Sequence, residues 1–122
     1  MTASLYTRLG GYDGIATFAT KVVTNAQKDD QLGRFWANRN EDTNARDLQS
    51  LIDYLVNKTG GQMYYRGRDM ALAHKGMGIT NADWTRFIEI VVDIAGELGV
   101  GQVEGGEVMA FFENLKSDIV TV

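Results

Sequence analysis

Apolar residues recur along the chain at intervals of three and four. Ile15, Phe18, Ala19, Val22, Val23 and Ala26 fall on one face of a 3.6-residue spiral, which predicts a helix over roughly 12 to 27. Leu48, Leu51, Ile52 and Leu55 repeat the pattern and run into Thr59-Gly60-Gly61, where glycine accepts the left-handed conformation of a helix C-cap. A third stripe, Trp84, Phe87, Ile88, Val91, Ala95 and Leu98, is opened by Thr80 with Asp83 following, a capping-box-like start that offers oxygens to the orphan amides of the first turn. Val108, Phe111, Phe112, Leu115 and Ile119 make a fourth. Alternation of period two is nearly absent. Its best stretch, Gln62 to Gly67, is too short for more than a loop or an isolated extended segment. The pattern predicts an all-α fold.

Proline is absent, and the glycine pairs Gly10-Gly11, Gly60-Gly61 and Gly105-Gly106 are expected to divide the chain into its helical pieces. Asn38 to Asn44 is polar turn chemistry, and no repeat, linker or low-complexity tract interrupts the sequence. With 122 residues and 44% hydrophobic content, a single domain over 1–122 can bury one core. No stretch reaches the roughly 18 apolar residues of a membrane span. The opening Met-Thr-Ala-Ser-Leu-Tyr lacks the basic-then-apolar order of a secretory signal, so a cytoplasmic protein is expected. A net charge of -4 opposes the counterion release that drives nucleic-acid binding, which argues against DNA or RNA as a partner. The absence of cysteine removes disulfides, thiolate metal sites and thiol nucleophiles together, and leaves the redox compartment open.

One histidine remains. In the run Arg68 to Thr80, helical steps of about 100° place Met70, His74 and Met77 within one narrow arc. On spacing alone the simpler reading is a core histidine satisfied by a backbone carbonyl, with the methionines as gap-fillers. The alternative is a metal ligand. Zinc needs three or four protein donors, which a chain with no cysteine and one histidine does not offer. Haem brings four porphyrin nitrogens of its own and asks the protein for as little as one axial imidazole. It also needs an apolar slot, and cations or hydroxyls for its propionates. Tyr64, Tyr65, Arg66, Arg68 and Lys75 form a locally basic patch suited to carboxylates, though ordinary solvated surface explains it equally.

Other motifs lack their context. Gly76-Met77-Gly78 and Gly99-Val100-Gly101 have neither a third glycine at the required offset nor a preceding strand. Ser4, Ser50 and Ser117 sit outside any G-x-S-x-G elbow. The acidic pairs Asp29-Asp30 and Glu41-Asp42 read as solvated turns rather than as catalytic carboxylates.

Several landmarks together resemble the group I truncated haemoglobins, also called truncated haemoglobin N. They are Leu5-Tyr6-Thr7-Arg8-Leu9-Gly10-Gly11, Asp30-Gln31-Leu32 with Phe35-Trp36, Thr59-Gly60-Gly61, and Tyr65 to Met70 leading to Ala73-His74 and on to Ile79-Thr80. The similarity runs over about 4 to 120 and needs no insertion between Gly61 and His74. It implies a two-over-two helical sandwich holding haem b, with His74 as the proximal iron ligand. Phe35 or Trp36 matches the aromatic that wedges against the haem. Met70, Met77, Ile79, Trp84 and Phe87 match the proximal lining, Leu51, Tyr54 and Leu55 the helix above it, and Tyr65, Arg66 and Lys75 the propionate side.

The distal side departs from the family. Counted from Gly10-Gly11, the usual distal tyrosine position falls on Val23; counted back from Gly60-Gly61, the distal glutamine position falls on Leu51, with Asp47 one turn earlier and Ser50 beside it. The segment between Trp36 and Gly60 is longer than usual. The resemblance therefore implies an apolar ligand pocket of Val23, Leu51 and Phe18 or Phe35, with Asp47 and Ser50 as candidate polar members, and with Phe87 narrowing ligand access. A second histidine ligand does not exist in the chain, so the sixth site is expected to be open, water-bound, or taken by a lysine or methionine. The leading function is reversible binding of O2, CO or NO by a monomer or weak dimer. Two alternatives stand beside it: a nitric oxide dioxygenase served by an external reductase, and a haem-free helical interaction domain.

Overall fold

The computed structural model describes residues 4–37, 39–61, 74 and 77–120. Its helices are α1 (Leu5–Arg8), α2 (Gly11–Lys28), α3 (Glu41–Lys58), α4 (Asn81–Glu97) and α5 (Gln102–Ile119), with a 3-10 turn at Gly33–Phe35 between α2 and α3. No strand occurs among the described residues. Helix α2 packs against both α3 and α4, and α4 against α5, while α1 bridges α2 and α5. The result is two layers of paired helices.

Local chemistry explains the boundaries. The Ser4 hydroxyl accepts from the Thr7 amide at the start of α1. Gly10, at φ +96°, turns the chain into α2, a conformation that costs a side-chain-bearing residue. At the far end of α3, the Thr59 carbonyl accepts from the Tyr6 amide at 2.8 Å, tying the chain's opening to that corner. A Cβ on Gly61 would lie 2.7 Å from the Tyr6 ring, so the close approach requires glycine. Asn40 caps α3 by accepting from the Thr43 amide at 2.8 Å. The polar stretch expected to be a turn over 38–44 is thus half helix start, because asparagine followed by acidic residues is N-terminal chemistry as much as turn chemistry.

The third glycine pair behaves differently from its sequence expectation. Gly105 and Gly106 lie inside α5, and the break between α4 and α5 falls at Gly99–Gly101, with Gly99 at φ +72°. Two glycines in a helix interior cost about 1 kcal/mol each relative to alanine. Burial of Val108, Phe112 and Ile119 further along the same helix outweighs that.

The core is contributed by Ile15, Ala19, Val22 and Ala26 of α2, Ile52, Leu55 and Val56 of α3, Trp84, Ile90, Val91 and Ile94 of α4, and Val108, Phe112 and Ile119 of α5. Several residues of the expected stripes, among them Phe18, Val23, Leu48, Leu51, Phe87, Ile88, Ala95, Phe111 and Leu115, are only half-buried. Phe18, Val23 and Leu51 border empty space on one side, and Phe18 and Leu51 also pack against the core. No described helix is long and apolar enough to cross a membrane.

Candidate functional site

Two apolar cavities lie side by side and share Leu55 and Phe112 as a common wall. The larger, about 340 Å³, is lined by α1, the first half of α2, the ends of α3 and α4, and α5, with Phe18, Leu98, Val108 and Phe111 among its walls. The smaller, about 190 Å³, is lined by Val23, Ala26, Leu32, Phe35, Trp36, Leu51, Tyr54, Leu55, His74, Met77, Ile79, Asp83, Trp84, Phe87, Phe112, Leu115 and Ile119. Size favours the first cavity as a ligand site. Chemistry favours the second, because it holds the sole histidine and nearly all of the aromatic wall.

Each wall has a local cause. The face of α2 presents Val23 beside the buried Val22 and Ala26. After α2 the chain reverses on an Asp29 carboxylate, whose Oδ2 accepts from the amides of Gln31 and Leu32 at 3.1 Å each, and the 3-10 turn then presents Phe35 and Trp36 to the cavity. Helix α3 contributes Leu51, Tyr54 and Leu55 at intervals of three and one. On the other side, Ile79 precedes the capping box of α4, in which Thr80 Oγ1 accepts from the Asp83 amide and Asp83 Oδ2 accepts from the Thr80 amide, both at 3.1 Å. Trp84 and Phe87 follow one helical turn apart, their rings 5.9 Å between centroids, and Phe87 meets Phe112 edge-on at 5.7 Å.

Polar side-chain atoms among the described lining residues come from Trp36, Tyr54, His74, Asp83 and Trp84. Asp83 is only 3% exposed and is fully engaged: Arg34 Nη2 donates to Oδ2 at 2.6 Å and Gln31 Nε2 donates to Oδ1 at 3.0 Å. The Arg34 hydrogen bond, joined by those from Gln31 and Thr80, overcomes burial and holds this carboxyl well below the usual carboxylate range. Trp84 is the opposite case. It is 4% exposed, and its indole N–H is buried without an acceptor. An orphan donor of this kind costs about 1–3 kcal/mol, and a cavity occupant carrying an acceptor would relieve it.

This arrangement fits haem, which brings four porphyrin nitrogens of its own and asks the protein for as little as one imidazole; among the described residues no group of three His, Cys, Asp or Glu is placed to hold an ion. The half-buried His74 borders the cavity, and the aromatic and branched walls suit a flat apolar ring.

The structure brings most of the sequence-selected residues together. His74, Phe35, Trp36, Leu51, Tyr54, Leu55, Met77, Ile79, Trp84, Phe87 and Val23 all border the one cavity. Phe18 does not; it lines the neighbouring one. Asp47 and Ser50 are exposed, and Asp47 pairs with Arg39 on the outside of α3. Ser50, one helical step from Leu51, falls on another side of α3, whereas Asp47 shares the Leu51 side but lies one turn nearer the start of the helix, where it pairs with Arg39 instead of reaching the cavity. Tyr65, Arg66, Met70 and Lys75 lie outside the described residues. Leu32, Asp83, Phe112, Leu115 and Ile119 also line the cavity without having been selected. The α5 members had a signal, since Phe112, Leu115 and Ile119 form one helical stripe, but a stripe does not distinguish core from cavity wall. Asp83 was visible only as a capping residue.

The site defines a class: a small helical protein with an apolar, aromatic-walled slot bordered by a single histidine. Comparison with known proteins makes the class specific. The chain belongs to the bacterial-like globin family, whose model matches residues 4–121. It is 28% identical over 115 residues to a group 1 truncated haemoglobin of Tetrahymena thermophila, covering 94% of this chain and 93% of that one. To the GlbN group 1 truncated haemoglobin of Mycolicibacterium paratuberculosis it is 25% identical, covering 98% and 85%. The fold matches the Fe(III) form of truncated haemoglobin from Tetrahymena pyriformis with a TM-score of 0.87 at 25% identity, over 98% of this chain and all of that one. It also matches a Synechococcus 2/2 haemoglobin, crystallised in the cyanomet state with covalently attached haem, with a TM-score of 0.86 at 27% identity, over 97% and 98%. The two-layer helical arrangement is that of the truncated haemoglobins, and haem-based binding of a diatomic gas is the function that membership carries.

Proposed function

We propose that the cavity bordered by His74 holds a non-covalent, b-type haem with His74 as its one protein ligand, and that the protein binds and quickly releases O2, CO or NO. The observation that carries this reading is that the chain's sole histidine and Trp84, whose buried indole N–H has no acceptor, border one aromatic-walled slot. When bound, the haem supplies an iron with an open coordination position for a gas.

The residues supply the rest. His74 anchors the iron. Phe35, Trp36, Trp84 and Phe87 exclude water from the ring faces, and Tyr65, Arg66 and Lys75 receive the propionates. Val23 and Leu51 shape the gas pocket and bring no hydroxyl or amide to it, which favours rapid O2 release over long retention. Storage or delivery fits such a pocket better than nitric oxide dioxygenation, which relies on stable O2 loading and on an external reductase. The protein works as a monomer or weak dimer in the cytoplasm.

Visible spectroscopy after haem addition tests the reading. The wild-type protein is expected to develop an intense Soret band, and His74→Ala to lose it or shift it, with haem affinity falling at least about 10- to 100-fold, as for loss of a metal-orienting group. A chain that takes up no haem, or one in which His74→Ala leaves the spectrum unchanged, overturns the assignment.

A further inference from the structure

The two faces of the slot are contributed by segments far apart in sequence, and one buried carboxylate joins them. Asp83 sits at the start of α4, between the residues that bring Ile79 and Trp84 to one wall. Its Oδ2 accepts from Arg34 and its Oδ1 from Gln31, and both partners belong to the turn that presents Phe35 and Trp36 to the other wall. Arg34 also donates to the Gln31 carbonyl, fixing the turn internally. Its guanidinium lies 4.3 Å above the centre of the Phe35 ring. One side chain therefore contacts both the carboxylate beside Trp84 and the aromatic ring of Phe35, two parts of the slot's lining.

A second ion pair joins the same two regions without reaching the cavity. Arg86 Nε donates to Asp29 Oδ1 at 2.6 Å, as short a contact as that between Arg34 and Asp83. Neither Arg86 nor Asp29 borders the slot. The Arg86 pair fastens α4 to the turn from outside the slot, whereas Asp83, held at the cavity wall as the capping residue of α4, is placed to reach Gln31 and Arg34 beside Phe35 and Trp36.

We infer that Asp83, through Arg34, is a positioning residue that sets the separation and tilt of Phe35 and Trp36 against the α4 wall, and so governs how tightly the slot grips its occupant. The inference rests on the haem reading for the identity of that occupant, but the positioning itself concerns side chains present with or without it.

Paired variants test it. Arg34→Met removes the guanidinium and keeps a hydrocarbon chain over Phe35, while Arg86→Met removes the comparison ion pair. Both are expected to lower Tm by similar amounts. Only Arg34→Met should accelerate haem release to an excess of a haem-free acceptor protein, by about tenfold, the value of one charge-assisted hydrogen bond. Arg34→Met should also broaden or split the infrared band of the CO complex, and Arg34→Lys should partly restore both. With haem left out, the indole N–H resonance of Trp36 should shift in Arg34→Met and stay in place in Arg86→Met. Equal haem release from the two variants, with an unmoved Trp36 resonance, overturns the inference. A wild-type protein without a Soret band overturns the haem reading instead, and the Trp36 resonance then decides the positioning role alone.

Discussion

The two neighbouring cavities differ more in chemistry than in lining hydrophobicity. They share Leu55 and Phe112, yet the larger is walled mainly by aliphatic and phenylalanine side chains, with Asp13, Thr17 and Thr59 as its polar members. The Thr59 hydroxyl is already spent on the Leu55 carbonyl at 2.7 Å. The smaller carries His74, an unpaired indole N–H and a buried, fully bonded carboxylate. Apolar volume in a helical sandwich arises wherever helix ends diverge. A site needs, in addition, polar groups whose placement is otherwise costly, and only the smaller cavity has them buried.

Substitution on the ligand side of the smaller cavity is the severest test of that contrast. Val23→Tyr places a hydroxyl where the wall is aliphatic. A hydrogen bond to a partly charged gas ligand is worth about 1.5–3 kcal/mol, or roughly 10- to 150-fold in retention. O2 dissociation, followed by stopped flow, should slow by that factor while CO dissociation changes little. An unchanged O2 rate would remove Val23 from the gas pocket.

Asp83→Asn sharpens the comparison from the buried carboxylate. The carboxyl is held below its ordinary value in the folded protein, so the folded state favours the ionised form. Its contribution is therefore complete above the unfolded value of about 4 and is lost as pH falls from there toward the folded value. Urea unfolding at pH 7 should show a loss of about 2 kcal/mol in the variant. The gap to wild type should narrow steadily as pH drops below about 4. A pH-independent gap would mean that packing, not charge, is what Asp83 supplies.

The helical skeleton was legible because periodicity reports burial directly: Ile15, Ala19, Val22 and Ala26 were read from spacing and are buried. What spacing does not report is the difference between a residue touching other residues and one touching a void. Half-buried Phe18, Val23 and Leu51 border cavities, and so do the buried Ile15, Ala26 and Leu55 of the same stripes, so spacing does not tell a cavity wall from sealed core. One helical step separates Ser50 from Leu51, whereas Asp47 shares the Leu51 side of α3 and is separated from the cavity by a turn along the helix; both are exposed. Asp83 was readable as a cap through its distance from Thr80. Its pairing with Gln31 and Arg34 spans about fifty residues, and no local pattern encodes such a contact. Conversely, Gly105 and Gly106 carried a strong local signal for a break that tertiary burial overrode.

Trp84→Phe gives a smaller effect with an informative change of sign. It keeps most of the ring and deletes the N–H that has no acceptor. Without haem the variant should be more stable than wild type by about 1 kcal/mol, since an unmet buried donor is removed. With haem bound, retention should fall by about two- to tenfold if the cofactor or its attendant water accepts that hydrogen bond. Equal effects in both states would show that the indole N–H is indifferent to what fills the slot.

The mildest expected effect on ligand binding comes from Phe18→Ala in the larger cavity. Phe18 is half-buried and already borders empty space, so truncation should cost less than the about 3–5 kcal/mol typical of a packed phenylalanine. A loss of about 1–2 kcal/mol by denaturant unfolding is expected. Haem release and gas dissociation should stay within about twofold of wild type, because Phe18 borders the larger cavity and not the smaller. The two cavities do share Leu55 and Phe112 as a wall, and that is where the partition is vulnerable. If Phe18→Ala speeds gas entry tenfold or more, the wall is permeable on the timescale of binding, and the larger cavity belongs to the ligand's path instead of standing apart from it.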